Sequence, residues 1–448
     1  MKRHRAMEQS IGFRRLTRVV GILLVLPLVW ITVSCENLLE VEDPDVAKEG
    51  DVLDPEALEA LVSGAIGEFQ VGYTGDNGTN QGIALTGGLM ADEYQLSGTY
   101  PTRLQIDMRS VTNDNATAET VFRNLHLARR AAERAGEALA QADPNDPRLA
   151  LMYALAGFSY VYFGEHYCSG VPSSRIEFGT GNLVFGEPLT TQEMFQEADG
   201  FFDLALALAD AGSPEAYLAA VGKGRALLNL DQPGAAATAV AGVPTDFAYM
   251  LDHSDNTARQ ANGIWAFVNS VERFRVTDSE GVNGLPYRTA GDPRVLWELD
   301  PTDGIGFDQV TPQYNQLKFP ARASDMPVAD GVEARLIEAE AALGDPTTFL
   351  GVLNTLRDGI GMGNVTDPGT EAGRVDLLFE ERAYWLWQTA HRLGDLRRLV
   401  RQYGRATESV FPTGAYFKGG TYGTDVNLII PLDEQNNPNF ESCIDRNP

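Results

Sequence analysis

Long helical segments separated by short breakers are the feature that most constrains the fold of this chain. Residues 115–142 are rich in alanine, and the breaker DPNDP separates them from residues 148–167, which are apolar on nearly every face. A third helix is predicted over residues 190–211, where Thr190 can cap the N-terminus and Glu193 lies near the capping-box position. A helix that is apolar all round must be covered by neighbours, which predicts stacked helices.

Residues 213–244 indicate how the helices pair. They contain a glycine-bearing helix, the short turn LDQPG and a second alanine-rich helix. This order is typical of the antiparallel helix-turn-helix unit of a tetratricopeptide repeat. The Trp and Gly-Tyr signature positions of that repeat are not all filled. We therefore predict a mainly α fold, a tetratricopeptide-like scaffold of helical hairpins with a loop-rich, irregular face. Further helices are predicted over residues 54–69, 327–343, 346–360 and 371–404.

Three stretches lack this regularity. Residues 70–102 predict a loop around one short apolar segment, and residues 405–448 predict a loop-rich tail with one apolar strand, VNLIIPL. Residues 247–326 form an irregular insert punctuated by Gly, Pro, Asn and Asp, and segments this long usually serve function. The prediction is one composite domain, residues 53–448, whose helical scaffold comprises about 53–246 and 327–404.

The N-terminus predicts export and a lipid anchor. A basic segment precedes the uncharged apolar run 19–33, which is shorter than the roughly 20 residues that span a bilayer. Residues 1–34 are therefore predicted to be a lipoprotein-type signal peptide, with Cys35 as the lipidation (palmitate) site after the small Ser34. Thr32 departs from the aliphatic residue usual before such a cysteine. Residues 35–52 are acidic and predict a tether.

The chain has three cysteines, Cys35, Cys168 and Cys443. Lipidation of Cys35 would leave an even pair in an oxidising compartment, which invites a disulfide between Cys168 and Cys443. Closing so long a loop would contribute roughly 4–5 kcal/mol in the chain-entropy description. Two buried free thiols are the alternative, and both remain open at this point.

Charge and motifs exclude several classes of function. The formal net charge of −27 repels nucleic acid and anionic lipid head groups, and it is compatible either with solubility or with steering of a cationic ligand. The chain has no HExxH, GxSxG, Walker or CxxC motif, so we predict no enzyme and no cofactor. The segments GDNGTN (75–80) and DHSDN (252–256) offer oxygen ligands without EF-hand spacing, so no metal site is predicted and structural Ca²⁺ is a minor alternative.

The helix around residues 380–398 is densely charged. Acids and bases alternate there at helical spacings, which favours an ion-pair network with neighbouring helices over an anion site. Trp385 and Trp387 in the same segment are expected in the core. The charged residues are Glu380, Glu381, Arg382, Arg392, Asp395, Arg397 and Arg398.

Four segments together resemble one protein family. They read CENLLEVEDP (35–44), MPVADGVEARLIEAEAAL (326–343), LLFEERAYWLWQTAHRLGDLRRL (377–399) and LIIPLDEQNNPNF (428–440). In this order they resemble the SusD/RagB family of nutrient-binding lipoproteins of bacterial outer membranes, and they bracket nearly the whole mature chain. The resemblance implies a helical scaffold with an irregular ligand-binding face, and no catalysis. It also implies a SusC-like TonB-dependent outer-membrane β-barrel as partner, which the lipid-anchored protein covers as a lid at the cell surface.

Ligand contacts are best sought among aromatic residues in loops, because sugar rings stack on aromatic planes while a few polar groups bind the hydroxyls. By analogy with the family, the loop after the first helix and the irregular insert supply the binding face. Trp265 is at least as well explained as core. The candidates are Asp92, Glu93, Tyr94, Tyr100, Arg103, Trp265, Tyr287, Arg288, Trp297 and Tyr314.

Two functions follow. The first is a surface lipoprotein that captures an oligosaccharide or peptide and delivers it to the barrel. The second is an envelope-tethered protein-interaction module of the tetratricopeptide type, in which the aromatic residues only pack.

Overall fold

The computed structural model describes residues 53–178, 180–440 and 442–448, so the predicted signal peptide, Cys35 and the tether lie outside the described residues. Helices predominate, as predicted. In this part of the chain none of them is long and apolar enough to cross a membrane. The helices are α1 (Pro55–Thr74), α2 (Ile83–Met90), α3 (Pro101–Asp107), α4 (Ala116–Ala142), α5 (Leu149–His166), α6 (Thr191–Leu208), α7 (Pro214–Asn229), α8 (Pro233–Val240), α9 (Gly263–Trp265), α10 (Gly331–Ala341), α11 (Pro346–Gly359), α12 (Glu371–Trp385), α13 (Arg392–Arg401) and α14 (Thr407–Val410).

Helices α4 to α8 begin and end within three residues of their predicted bounds, except that α8 ends four residues early. Local capping explains this accuracy. The Asn115 side chain accepts hydrogen bonds from the first amides of α4, and Thr190 and Glu193 form the predicted capping box of α6. Each helix packs on the next along the chain, α4 on α5, α5 on α6, α6 on α7 and α7 on α8, and α8 then packs on α10. One hydrophobic core runs through them from Leu58 to Phe440.

Short strands form two-stranded antiparallel ladders beside the helices. The strands are β1 (Tyr94–Leu96), β2 (Val171–Pro172), β3 (Arg175–Ile176), β4 (Leu183–Val184), β5 (Pro188–Leu189), β6 (Ala248–Leu251), β7 (Phe274–Val276), β8 (Trp297–Leu299), β9 (Tyr314–Gln316) and β10 (Met326–Asp330). The ladders pair β1 with β7, β2 with β5, β3 with β4, β6 with β10 and β8 with β9. The first of these ladders places Leu96 opposite Phe274 and so connects the segment after α2 to the irregular insert.

The loop predicted over residues 70–102 is largely wrong. Helix α1 continues to Thr74, and α2, β1 and the start of α3 lie in the same stretch. All eight residues of α2 are buried, although it contains two adjacent glycines. Tertiary burial therefore stabilises a helix whose local propensity is poor.

The single helix predicted over residues 371–404 is broken between α12 and α13. Gln388 and Ala390 have positive φ angles of 65° and 60° in the intervening turn. The turn is held by buried partners from elsewhere: Glu93 accepts a hydrogen bond from the Gln388 amide at 2.7 Å, and Lys318 donates to the Trp387 carbonyl at 2.6 Å. Long-range contacts thus replace the helical hydrogen bonds lost at the break.

Five of the seven charged residues predicted to form an ion-pair network here do so: Glu381, Arg382, Arg392, Asp395 and Arg398. Glu380 is exposed and is not paired with any described residue. Glu381 pairs with Arg294 at 2.7 Å and Arg357 at 2.5 Å, and Arg382 pairs with Asp395 at 2.8 Å across the turn. Arg398 pairs with Glu340 at 2.5 Å. Arg397 differs, since its guanidinium donates to the Gly164 carbonyl instead. Trp387 is fully buried as expected, whereas Trp385 is half-buried and donates to Glu381.

Two predictions near the C-terminal half need correction. The helix predicted to begin at residue 327 starts at Gly331, after β10, with Asp330 capping it through the Glu333 amide. The VNLIIPL strand is absent: Leu428 makes one bridge to Tyr167, and a 3₁₀ turn follows at Leu432–Asn436.

Cys168 and Cys443 are joined by a disulfide bond that spans 275 residues of sequence. Cys168 is fully buried at the end of α5. The adjoining Ser169 accepts a hydrogen bond from the Ile444 amide at 2.8 Å. The C-terminal tail is therefore attached to the centre of the helical scaffold by covalent and hydrogen bonds.

Candidate ligand-binding surface

Exposed and half-buried aromatic rings alternate with half-buried and buried arginines over the region formed by α3, β7, β8, β9 and the turn 415–421. We call this set the aromatic–arginine surface. It comprises Tyr100, Arg103, Arg273, Arg275, Arg288, Trp297, Phe307, Tyr314 and Phe417.

One end of this surface is built around Tyr100, which precedes Pro101 at the start of α3 and is 48% exposed. The guanidiniums of Arg103 and Arg273 lie 4.5 and 4.7 Å from the centre of its ring. Arg273 also lies 4.0 Å from the centre of the exposed Phe307 ring. Two aromatic rings are thus bridged by one cation.

The other end is built around Tyr314 of β9. The ring of Trp297, on the paired strand β8, meets it edge-on with 5.6 Å between centroids. Arg288 stacks on Tyr314 at 3.6 Å, and Arg275 lies 5.8 Å from it. Arg275 in turn lies 4.6 Å from the ring centre of Phe417.

Lys418 joins the two ends. Its ammonium group pairs with Asp308, beside Phe307, at 2.7 Å and donates to the carbonyl of Gly98 at 3.0 Å. The loop carrying Phe307 is also bonded to the segment before Tyr100, because the Asp308 amide donates to the Ser97 carbonyl. The rings and guanidiniums therefore form one continuous surface.

A buried carboxyl pair supports the surface from below. Tyr416, next to Phe417, donates to Asp107 at 2.5 Å, and Tyr422 donates to Glu280 at 2.9 Å. Burial raises the pKa of Asp107 to about 6. Burial, together with the neighbouring Asp107, raises the pKa of Glu280 well above its usual value.

The surface is an open face rather than a closed pocket. Phe307 and Phe417 are 44% and 40% exposed. A cleft of about 610 Å³ lies away from this surface and is bounded by Phe195, Arg401 and Asp445. An open row of rings suits an extended ligand better than a small, enclosed one.

Five of the ten residues predicted from the sequence belong to this surface. Tyr100, Arg288, Trp297 and Tyr314 present rings or a guanidinium at the face, and Arg103 lies beneath Tyr100 with 5% of its area exposed.

The predicted ligand contacts Asp92, Glu93, Tyr94 and Tyr287 do not lie on this surface, because each of the four residues has at most 1% of its area exposed. Asp92 pairs with Arg392 at 2.6 Å. Glu93 holds the turn after α12, and burial raises its pKa to about 8. These acids brace the scaffold.

Trp265 is half-buried on α9, whose contacts are with α1 and α2. Within the described chain it makes none of the ring or cation contacts that define the surface. The packing alternative stated for this residue therefore fits better.

Sequence reasoning missed Arg273, Arg275, Phe307, Phe417 and Lys418. The sequence held a signal for the first two, because apolar Phe274 lies between them and alternation along a strand places its neighbours on the face opposite the core. Phe417 had no such signal, since it lies in a turn closed by Gly419 and Gly420 with φ of 98° and 83°.

No cluster of three or more His, Cys, Asp or Glu side chains in the described ranges could hold a metal ion. In GDNGTN, one Asp76 oxygen accepts hydrogen bonds from the Thr79 and Asn80 amides. The expected lack of a metal site and its minor alternative, structural Ca²⁺, both stay predictions.

No protein-family model and no curated protein matches this sequence. Solved structures do match. A SusD-like carbohydrate binding protein from Bacteroides vulgatus ATCC 8482 superposes with a TM-score of 0.62 and 15% identity, covering 88% of this chain and 98% of that one. A SusD-like protein from Bacteroides fragilis NCTC 9343 gives 0.64 and 14%, covering 89% and 98%. Surface glycan-binding protein A from Bacteroides uniformis gives 0.64 and 11%, covering 87% and 99%.

The chain therefore has the SusD-like fold over nearly its whole described length. The mainly α, tetratricopeptide-like architecture implied by the sequence resemblance is confirmed, and the resemblance to SusD/RagB proteins is confirmed at the level of fold.

Proposed function

We propose that this protein is a glycan-binding surface lipoprotein that holds its ligand on the aromatic–arginine surface. It passes the ligand to a TonB-dependent outer-membrane β-barrel, which it covers as a lid. The observation that carries the proposal is the continuous open row of Tyr100, Phe307, Phe417, Tyr314 and Trp297, with guanidiniums between the rings.

The chemistry of this row supports a sugar polymer. The apolar C–H faces of pyranose rings pack on aromatic planes, and guanidinium N–H groups donate to hydroxyl and ring oxygens. Two proteins of the same fold are described as a carbohydrate binding protein and a surface glycan-binding protein. A glycan is therefore a better candidate than a peptide.

The proposed activity is binding without turnover. Two acids near the rings already accept hydrogen bonds: Asp308 accepts from Lys418 and Thr311, and Asp107 accepts from Tyr416. Neither is poised beside a nucleophile as catalysis would require.

The anchor completes the proposal. Lipidation at Cys35 would hold the protein at the outer membrane, and the acidic residues 36–52 would serve as the tether between the lipid and the described domain. Fractionation of a Cys35→Ser chain tests this, because retention in the membrane fraction would place the anchor elsewhere.

The binding proposal predicts that Trp297→Ala and Tyr100→Ala weaken glycan binding at least about tenfold each, the equivalent of about 1.4 kcal/mol. Affinity electrophoresis through gels containing a panel of neutral and acidic polysaccharides measures this. Phe185→Ala is the matched control, since Phe185 is comparably exposed at 41% but is outside the surface. It should bind like the parent chain.

Two results would contradict the proposal. Binding that survives both substitutions would locate the ligand elsewhere. Absence of binding to every polysaccharide, with co-purification of a barrel intact, would favour the protein-interaction module.

A further inference from the structure

Most strongly buried arginines of this chain are neutralised by a carboxylate. Arg225 pairs with Glu165, Arg382 with Asp395, Arg392 with Asp92 and Arg398 with Glu340, all at 2.5–2.8 Å. Such pairing is expected, because a buried charge without a partner is costly.

The four arginines of the aromatic–arginine surface lack such a partner. Arg109 and Arg397, buried outside this surface, also lack one, and each donates to backbone carbonyls instead. Arg103, Arg273, Arg275 and Arg288 form no ion pair with any carboxylate of the described residues. They occur as two pairs, each sharing one tyrosine ring: Arg103 and Arg273 on Tyr100, and Arg275 and Arg288 on Tyr314.

The charge of these pairs is not cancelled by an ion pair, although the buried carboxyls of Asp107 and Glu280 act on Arg275 from a distance. Burial and the neighbouring Arg273 lower the pKa of Arg103 to about 10, and burial and Arg288 lower the pKa of Arg275. Two guanidiniums that lie close together and have no carboxylate partner repel each other. A bound anion stabilises such a pair because its charge is opposite to theirs.

The guanidiniums also have unused donors. Arg103 and Arg275 are at least nine-tenths buried, yet Arg103 Nη1 and Arg275 Nε have no hydrogen-bond partner. Arg273 Nη1 and Arg288 Nε are also buried atoms without a hydrogen-bond partner, although both residues are half-buried overall. Guanidinium N–H groups without an acceptor are therefore present beside both Tyr100 and Tyr314.

None of the nearby carboxylates among the described residues forms an ion pair with these guanidiniums. One oxygen of Asp278 accepts from the amides of Arg288 and Thr289 at 3.0 and 2.9 Å. Asp308 pairs with Lys418. Glu272 adjoins Arg273, and burial and the nearby Asp300 and Asp303 raise the pKa of its carboxyl. Glu298 is exposed on β8.

We infer that the glycan bound here is anionic, with a carboxylate or sulfate group received by a guanidinium pair while the sugar ring lies on the adjoining tyrosine. This inference rests on the proposed function and names its ligand class. Guanidinium groups bind such anions through charge-assisted, often bidentate hydrogen bonds. The net charge of −27 acts over the whole molecule and is screened beyond about 8–10 Å, whereas these pairs act in direct contact.

The test compares acidic with neutral polysaccharides and includes one matched pair, in which methyl esterification removes the charge of the same polymer. Polygalacturonate and its fully methyl-esterified form are run with chondroitin sulfate, alginate, galactan, xylan and starch in affinity gels of the purified protein. Acidic polysaccharides should retard migration, and esterification should weaken binding at least about tenfold. Arg288→Gln and Arg273→Gln should each weaken binding of the acidic probes about tenfold or more. Arg134→Gln, at an exposed arginine of α4, is the control and should change nothing.

The outcomes separate the two proposals. Retardation by neutral polysaccharides alone, lost in Trp297→Ala, would overturn the anionic ligand and leave glycan binding standing. Acidic binding that is unchanged by Arg288→Gln and Arg273→Gln, with folding verified by circular dichroism, would also overturn it. No retardation by any probe would overturn glycan binding itself.

Discussion

At the scale of single residues, buried acids perform structural tasks in this protein. Asp107 accepts hydrogen bonds from Tyr416 and from the Leu96 amide, and Glu280 accepts from Tyr422. Tyr416 and Tyr422 flank the turn that carries Phe417. The carboxyl pair thereby couples one ring of the binding surface to the scaffold.

This pair predicts a pH dependence of stability. Because both carboxyl pKa values are raised in the fold, the native state holds more protons than the unfolded chain, and stability is lost as pH rises above about 4. Glu280→Gln keeps the acceptor for Tyr422 and removes one titrating group. Its free energy of unfolding should exceed that of the parent increasingly from pH 4 to 8, by at most about 1.4 kcal/mol per pH unit.

Urea denaturation over that pH range measures the difference. Glu408→Gln, at an exposed glutamate, should show no such trend. A difference between Glu280→Gln and the parent that is constant at every pH would show that the fold does not raise the pKa of Glu280.

At the scale of elements, glycines set how closely the helices cross. The buried ring of Phe202 on α6 lies between Gly157 of α5 and Gly222 of α7. A Cβ at Gly157 would lie 2.8 Å from that ring, and one at Gly222 would lie closer still. Three helices can pack around one phenylalanine only because both positions lack a side chain.

Gly222→Ala should therefore lower the free energy of unfolding by about 1–3 kcal/mol, despite alanine's better helix propensity. Gly234→Ala is the matched control in α8, where a Cβ meets nothing within 4 Å. That variant should be neutral or up to about 1 kcal/mol more stable. The urea midpoints of the two variants check this, and equal midpoints would refute the packing argument.

At the scale of the whole molecule, the Cys168–Cys443 bond connects α5 to the C-terminal tail across 275 residues. Restricting the unfolded chain over so long a loop is expected to stabilise the fold by about 2–5 kcal/mol. The paired substitution Cys168→Ser with Cys443→Ser should lower the thermal midpoint. The parent chain with reductant should approach the same value.

The control for this prediction is the doubly substituted chain with reductant, which should not change further. If neither the double substitution nor the reductant lowers the thermal midpoint below that of the untreated parent chain, the disulfide bond adds nothing to stability.

The sequence by itself determined the helical hairpins, their order and most of their bounds. These depend on local periodicity and on caps such as Asn115 and Thr190, whose partners lie within three residues. The sequence also predicted that the charged residues of α12 and α13 form ion pairs, but it did not predict which residues of other segments they pair with.

Only the tertiary structure decided which residues form the candidate site. Asp92 and Tyr100 are eight residues apart in one irregular-looking segment, yet one is buried against Arg392 and the other is exposed beside Arg273. The surface unites segments near residues 100, 273–314 and 417, and the break after α12 depends on Glu93, almost 300 residues away. Burial and pairing at such separations follow from packing, which local pattern does not encode.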